Sequence, residues 1–206
     1  MMIEERNAAE LDCCESGSPP WMDSFIDGLS GEITGDMNSM FGRQIGPQGM
    51  WDFALDLAFH DDPKVAFRGS WALEWAYFND RDAFRPHTAH FVENYLRAAN
   101  PSVHRHYAKM LWDMQRRGVL TLDDARAESV AEKTFDLLIN PKTKVAVKVW
   151  CMEILYDLSP RLPWVGEQLE DVVRQILQSE PSRGVANRAG KLLKRMDVRH
   201  GQGKRK

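Results

Sequence analysis

Residues 61–76, DDPKVAFRGSWALEWA, carry the pattern that decides the fold. An acidic residue stands before a proline, and a run of helical character follows. The Asp62 carboxylate can cap the free N–H groups of a helix. Pro63 suits the first helical turn, because its missing N–H would have no partner there. The pair recurs as Asn100-Pro101, Asn140-Pro141 and Glu180-Pro181, at separations of 38, 40 and 40 residues. Behind these pairs come SVHRHYAKMLWDMQ, KTKVAVKVWCMEILYDL and SRGVANRAGKLLKRM. Each junction is therefore expected to be the turn that enters a second helix.

The stretch before each junction has its own apolar stripe. In 48–60 it is Met50, Phe53, Ala54, Leu57 and Ala58; in 84–97 it is Phe84, Thr88, Phe91, Val92, Tyr95 and Leu96. Residues 124–138 place Ala127, Val130, Ala131, Phe135 and Leu138 on one face, and 163–177 do the same with Val165, Leu169, Val172, Val173, Ile176 and Leu177. This i, i+3, i+4 spacing is that of a helix with one buried side. Val145, Val147 and Val149 alternate as a strand would, but their place in the repeat and the continuation Met152, Leu155, Tyr156 favour helix. A unit of helix, turn and helix repeated about every 40 residues marks stacked units that cannot bury their apolar faces alone. The expected fold is all-α, an α-solenoid of about four antiparallel helix pairs. Residues 1–20 are expected to be disordered, 21–198 to form one domain, and 199–206 to be a basic tail; within 21–45, Trp21, Phe25, Ile26 and Leu29 fall at helical spacing, and the Gly- and Met-rich stretch after them is expected to pack as an irregular cap over the first repeat.

Composition limits the function classes. A chain of 206 residues with 43% hydrophobic content can bury one good core. No apolar run approaches the roughly 20 residues that a membrane span needs. The start, MMIEERNAAELDCCESGSPPW, has acids where a signal peptide carries positive charge, which points to the cytoplasm. Three cysteines, two of them adjacent at Cys13 and Cys14, supply neither a disulfide framework nor a tetrahedral zinc site, and are expected to be free thiols. The first 140 residues hold 13 basic against 23 acidic side chains, and residues 141–206 hold 14 against 7. The basic third, which includes Lys142, Lys144, Lys148, Arg174, Arg183, Arg188, Lys191, Lys194 and Arg195, would attract an acidic partner, protein or nucleic acid.

The residues resemble a known family. Asp62, Pro63, Val65, Arg68 and Ala72 match the second-helix signature of HEAT repeats, in which Asp-Pro is followed by Val, a basic residue and a small one. Val103 with Ala108, Lys148 with Met152, and Arg188 with Ala189 keep that character with the spacing shifted by a residue or so. The resemblance covers about residues 47–196, and KTKVAVKVWCMEILYDLS is similar to small bacterial HEAT-like proteins. It implies a right-handed, armadillo-type solenoid whose inner helices form a groove for a partner.

The sequence offers little catalytic chemistry. It has no Gly-rich phosphate loop, GxSxG, HExxH or CxxC. His104 and His106 would point about 200° apart on a helix and cannot chelate together. His87, His90 and Glu93 share a row, yet surface or groove histidines are the expected reading. Asp61-Asp62 and Asp123-Asp124 fall where helix caps belong. Trp71 and Trp75 lie four apart and are expected in the core, with an aromatic wall of a groove, shared with Trp112 and Trp150, as the other reading. The HEAT-like alkylpurine DNA glycosylases hold a damaged base with Trp and a carboxylate, and Trp51-Asp52 and Trp112-Asp113 invite that comparison. Adjacent residues diverge by about 100° on a helix, however, and the acidic first 140 residues suit phosphates poorly. The expectation is a non-catalytic scaffold, without cofactor or metal, that binds a partner protein in a groove contacted by Arg68, Trp75, Lys148 and Arg188. A nucleic-acid-binding protein is the alternative.

Overall fold

The computed structural model describes residues 19–32, 36–179 and 182–203, and every regular element among them is helical. In chain order these are α1 (Pro20–Ser30), α2 (Met37–Ile45), α3 (Trp51–Asp56), α4 (Pro63–Asn79), α5 (Arg81–Phe84), α6 (Thr88–Arg97), α7 (Pro101–Arg117), α8 (Asp124–Ile139), α9 (Val145–Leu158), α10 (Pro163–Gln178) and α11 (Arg183–Gly203). Single 3₁₀ turns extend α3 through Phe59 and join α5 to α6.

The junctions form as the local chemistry dictates. Asp62 accepts the Lys64 N–H at 2.8 Å and Asn100 accepts that of Ser102 at 2.9 Å, with Pro63 and Pro101 as the first helical residues. Asp123 caps α8 through the Arg126 N–H at 2.7 Å. Asn140 also accepts from Lys142, at 2.9 Å, but the chain there makes a turn and α9 starts only at Val145. The valine alternation thus lies inside a helix, as its place in the repeat required. The Glu180-Pro181 junction lies outside the described residues. Gly118 closes α7 with φ at 62°, and Val119 N–H reaches back to the Met114 carbonyl at 3.0 Å, a left-handed stop that glycine adopts without steric cost.

One expectation needs correction. Phe25 and Leu29 bury one face of α1, as their helical spacing implied, but the Gly- and Met-rich stretch, expected to be irregular, folds as α2. Gly42 lets α2 approach α4 closely, since a Cβ there would stand 2.6 Å from Trp75 Cε3 and 2.9 Å from the Ala72 carbonyl oxygen. At the other end, α11 runs on through Gly203, into the stretch expected to be tail, while residues 1–18, expected to be disordered, lie outside the described set.

The helices that follow the X-Pro pairs lie side by side in chain order, α4 on α7, α7 on α9 and α9 on α11. The helices before them pack in their own succession, α3 on α6 and α6 on α8. Buried apolar side chains form one connected cluster from Phe25 to Met196, with Tyr77, Tyr95, Tyr107, Phe84 and Phe91 fully enclosed. Each such side chain contributes about 1.5–3 kcal/mol by leaving water. The enclosed phenols have partners: Tyr95 bonds Thr134 Oγ1 at 2.8 Å, and Tyr107 donates to the Leu55 carbonyl at 3.0 Å. Among the described residues no helix is long and apolar enough to cross a membrane.

Candidate binding groove

The row α4, α7, α9 leaves a groove of about 370 Å³ across its exposed side. Helical spacing puts Phe67, Trp71 and Glu74 of α4 on that side, Arg105, His106 and Lys109 of α7, and Ala146, Val149 and Trp150 of α9. Trp71 is 37% exposed, which is high for so large an apolar side chain. Its ring lies nearly parallel to that of His106, and Trp150 packs on Trp112 with ring centroids 4.9 Å apart. The opening is therefore lined by indoles together with alanine and valine.

Glu74 is the carboxylate of this lining, and it is already held. His106 Nδ1 and Lys109 Nζ each lie 2.5 Å from one of its oxygens. Burial pushes the Glu74 carboxyl up, but these bonds outweigh burial and keep it below the ordinary carboxylate range. The other nitrogen of the buried His106 ring, Nε2, and the Trp112 indole N–H have no hydrogen-bond partner among the described residues. Arg105 stands exposed at the lip of the groove, with no carboxylate paired to it among the described residues.

The same row is tied by acids that reach a cation on a neighbouring helix. Asp113 of α7 accepts from Arg81 Nε at 2.7 Å and from the Tyr77 hydroxyl at 2.8 Å. Burial raises its carboxyl, yet the Arg81 and Tyr77 bonds bring it below the ordinary range. Arg116 of α7 donates to Asp157 of α9 at 3.0 Å. There burial dominates and the Asp157 carboxyl sits above the ordinary range. Glu153, 2% exposed on α9, takes Arg195 of α11 at 2.9 Å on both oxygens and Arg188 at 3.5 Å. Arg195 and Arg199 then stack on Tyr156, with guanidinium carbons 4.1 and 3.9 Å from the ring centroid.

The four residues expected to share a groove do not come together. Arg68 binds the carbonyls of Leu29 and Gly31, the latter at 2.8 Å, and fastens the end of α1 to α4. Trp75 lies under α2, against Gly42 and beneath Arg43. Lys148 is half-buried on α9 beside the groove lining, and Arg188 belongs to the Glu153 cluster. A one-residue shift separates Lys148 from Val149, and a one-turn shift separates Trp75 from Trp71. The i, i+4 spacing showed that both indoles share a helix side, but only the position of α2 decides which one is covered. Arg105 and Glu74 carried no signal in sequence, since an isolated charge on a helix reads as solvated surface.

The histidines are also redistributed. His104 is buried and bonds the Ala98 carbonyl at 2.9 Å through Nε2, and burial holds its imidazole below the ordinary range. His87 and His90 meet Asp52, with Nδ1 at 2.9 and 3.0 Å, and His90 Nε2 meets Asp56 at 2.8 Å, so these rings tie α6 and the turn before it to α3. Among the described residues no group of three or more His, Cys, Asp or Glu is placed to hold a metal. Trp51 is buried against Phe84 while Asp52 faces these histidines, and Asp113 faces Arg81 while Trp112 faces Trp150. Neither adjacent Trp-Asp pair converges on a ligand. The thiol of Cys151 is enclosed and burial pushes it up to about 12, which removes thiolate chemistry.

The His90 cluster gives a pH dependence. Burial lowers the His90 imidazole, but bonds to Asp52 and Asp56 outweigh it and hold the value above 6.5. The stability from protonated His90 is present below 6.5 and is lost as pH rises through the raised folded value. Burial likewise raises Asp52 less than the bonds from His90 and His87 lower it, so its contribution is present above 3.8 and is lost as pH falls through the lowered value. The stability difference between the native chain and H90Q is expected to be largest between these limits, to shrink as pH rises through the raised His90 value, and to stay under about 1 kcal/mol at this part-exposed site. Denaturant melts of both chains at intervals across that range measure it; a difference that does not change with pH would contradict the assignment.

By fold and site, the chain is thus an all-helical protein with an aromatic, cation-lipped groove across three neighbouring helices. Compared with family models, curated proteins and solved structures, the chain matches none.

Proposed function

We propose that this chain is a HEAT-like, armadillo-type α-solenoid of about four helix pairs, stacked right-handed. It acts in the cytoplasm as a non-catalytic scaffold, and it binds a segment of a partner protein in the groove of α4, α7 and α9. One observation carries this reading. Trp71 is left partly bare beside Trp150 and Val149, in a concavity whose carboxylate is already neutralised by its neighbours. Aromatic side chains in a concave, desolvated setting supply most of the energy where proteins bind each other. The groove volume falls at the lower end of the range for sites that enclose a ligand group. The side-by-side order of α4, α7, α9 and α11 supports the stacked arrangement.

The test is selection of displayed random peptides on the full chain, followed by rebinding to W71A and V149E. Peptides that are lost on both variants are expected. Selected peptides that bind both variants as well as the native chain would reject the groove.

A second reading, nucleic-acid binding of the kind found in HEAT-like alkylpurine DNA glycosylases, is favoured by the meeting of Trp71, Trp150 and Glu74 on one groove. Both Glu74 oxygens are occupied, and the lining holds only two arginine or lysine side chains, Arg105 and Lys109. A strand held through its phosphates would show binding that falls steeply with salt.

A further inference from the structure

We infer that the groove takes an extended acidic segment of a partner protein, with one aromatic side chain seated between Trp71 and Trp150. The inference rests on the groove reading above and names the chemistry of its occupant.

Charge selects acid. The lining holds two cations, Arg105 and Lys109, against the Glu74 carboxylate, which His106 and Lys109 already satisfy. Arg105 remains at the lip for an incoming carboxylate, and a guanidinium matches a carboxylate with two parallel N–H bonds. A basic segment would leave Arg105 opposed by like charge, which costs affinity more than it costs the fold.

Size selects an extended stretch with one large side chain. Three helices packed about 8–10 Å apart span roughly 20 Å. An extended chain covers that distance in about six residues, at about 3.3 Å each. The indoles of Trp71 and Trp150 offer an aromatic ring the edge and offset-face contacts such rings prefer. Val149 and Ala146 of the same lining offer no side-chain hydrogen bond, so the group seated against them is apolar in its body. A nucleic-acid strand also stacks on indoles, but it needs a track of cations along its phosphates, and this lining provides one cation that is not already engaged.

The experiment is fluorescence anisotropy of the full chain with a labelled peptide of about eight residues, a central tyrosine flanked by aspartates and glutamates. Its counterparts carry lysine for the acids, alanine for the tyrosine, or are replaced by labelled oligothymidine. The acidic tyrosine peptide is expected to bind, and both peptide counterparts to bind at least about tenfold more weakly. R105E and W71A are each expected to weaken binding about tenfold or more. Both side chains are exposed, so the helical circular dichroism should remain that of the native chain. R105Q is expected to fall between, which separates charge from packing. Equal binding to R105E, or preferential binding of oligothymidine, would overturn the inference. Binding of the lysine peptide that W71A abolishes would leave the groove a peptide site and reject only the acidic occupant. Self-association of the unliganded chain that W71A abolishes would assign the groove to a second copy instead.

Discussion

Exchange of Asp113 for alanine is expected to lower the unfolding free energy by about 3 kcal/mol. Asp113 is 6% exposed, and its carboxylate binds Arg81 and the hydroxyl of Tyr77, a residue with no exposed surface. Its removal strands the phenol in the core and leaves Arg81 without its partner. An unsatisfied buried donor costs about 1–3 kcal/mol, and breaking a buried pair by deleting one member about 3–5. Arg81 is one-third exposed and can be rehydrated, which places the sum at the lower end of the second range. D113N keeps an acceptor for Tyr77 and should lose less. The acid limb gives an independent sign. The Asp113 carboxyl is held below 3.8, so its contribution is present above that value and is lost as pH falls through the folded one. Urea melts of the native chain, D113A and D113N check both statements; equal stability of D113A and the native chain would show that the seam between α4 and α7 does not depend on this acid.

The second large effect is expected at Glu153. Arg195 and Arg188 converge on it from α11, and E153A leaves two guanidinium groups facing an empty buried position. Both arginines are about one-third exposed and can turn toward water, so the expected cost is about 2 kcal/mol. The loss should be local. α11 packs on α9 and α10 alone among the principal helix contacts, and the apolar anchors it contributes are Val185, Ala189, Leu192 and Met196. Hydrogen exchange should therefore quicken in α11 well before α4 or α7. Uniform quickening along the chain would instead show that α11 is integral to one cooperative unit.

What was legible in the sequence was whatever a short-range rule decides. Asp62-Pro63 and Asn100-Pro101 set helix starts because cap and proline act within one turn. The stripe Ala127, Val130, Ala131, Phe135, Leu138 faces the core because an apolar row at helical spacing has only one way to leave water. The same rules did not suffice everywhere. Asn140-Pro141 has the cap chemistry, yet α9 begins at Val145. Arg68 matches a repeat signature, but its guanidinium fastens α1. Trp75 and Trp71 look alike in sequence, and α2 covers the first and leaves the second open. The groove itself joins residues 67–74, 105–109 and 146–150, and nothing in any one stretch reports the other two. Its most informative feature, an acid satisfied from the next helix beside a cation that is not, exists only in three dimensions.

Groove and seams are built from one set of helices. A lining carried on packed helices loses less backbone entropy on binding than one carried on loops, which lowers one part of the ordering cost. The seven tryptophans provide a direct reporter, because each indole N–H gives one proton–nitrogen correlation in a nuclear magnetic resonance spectrum. With resonances assigned by single replacement to phenylalanine, titration of the acidic tyrosine peptide should move the signals of Trp71 and Trp150, and of Trp112 stacked on the latter. Those of Trp21, Trp51, Trp75 and Trp164 should stay in place. Shifts confined to these four, or saturable binding that moves none of the groove indoles, would contradict the assignment of α4, α7 and α9 as the binding face.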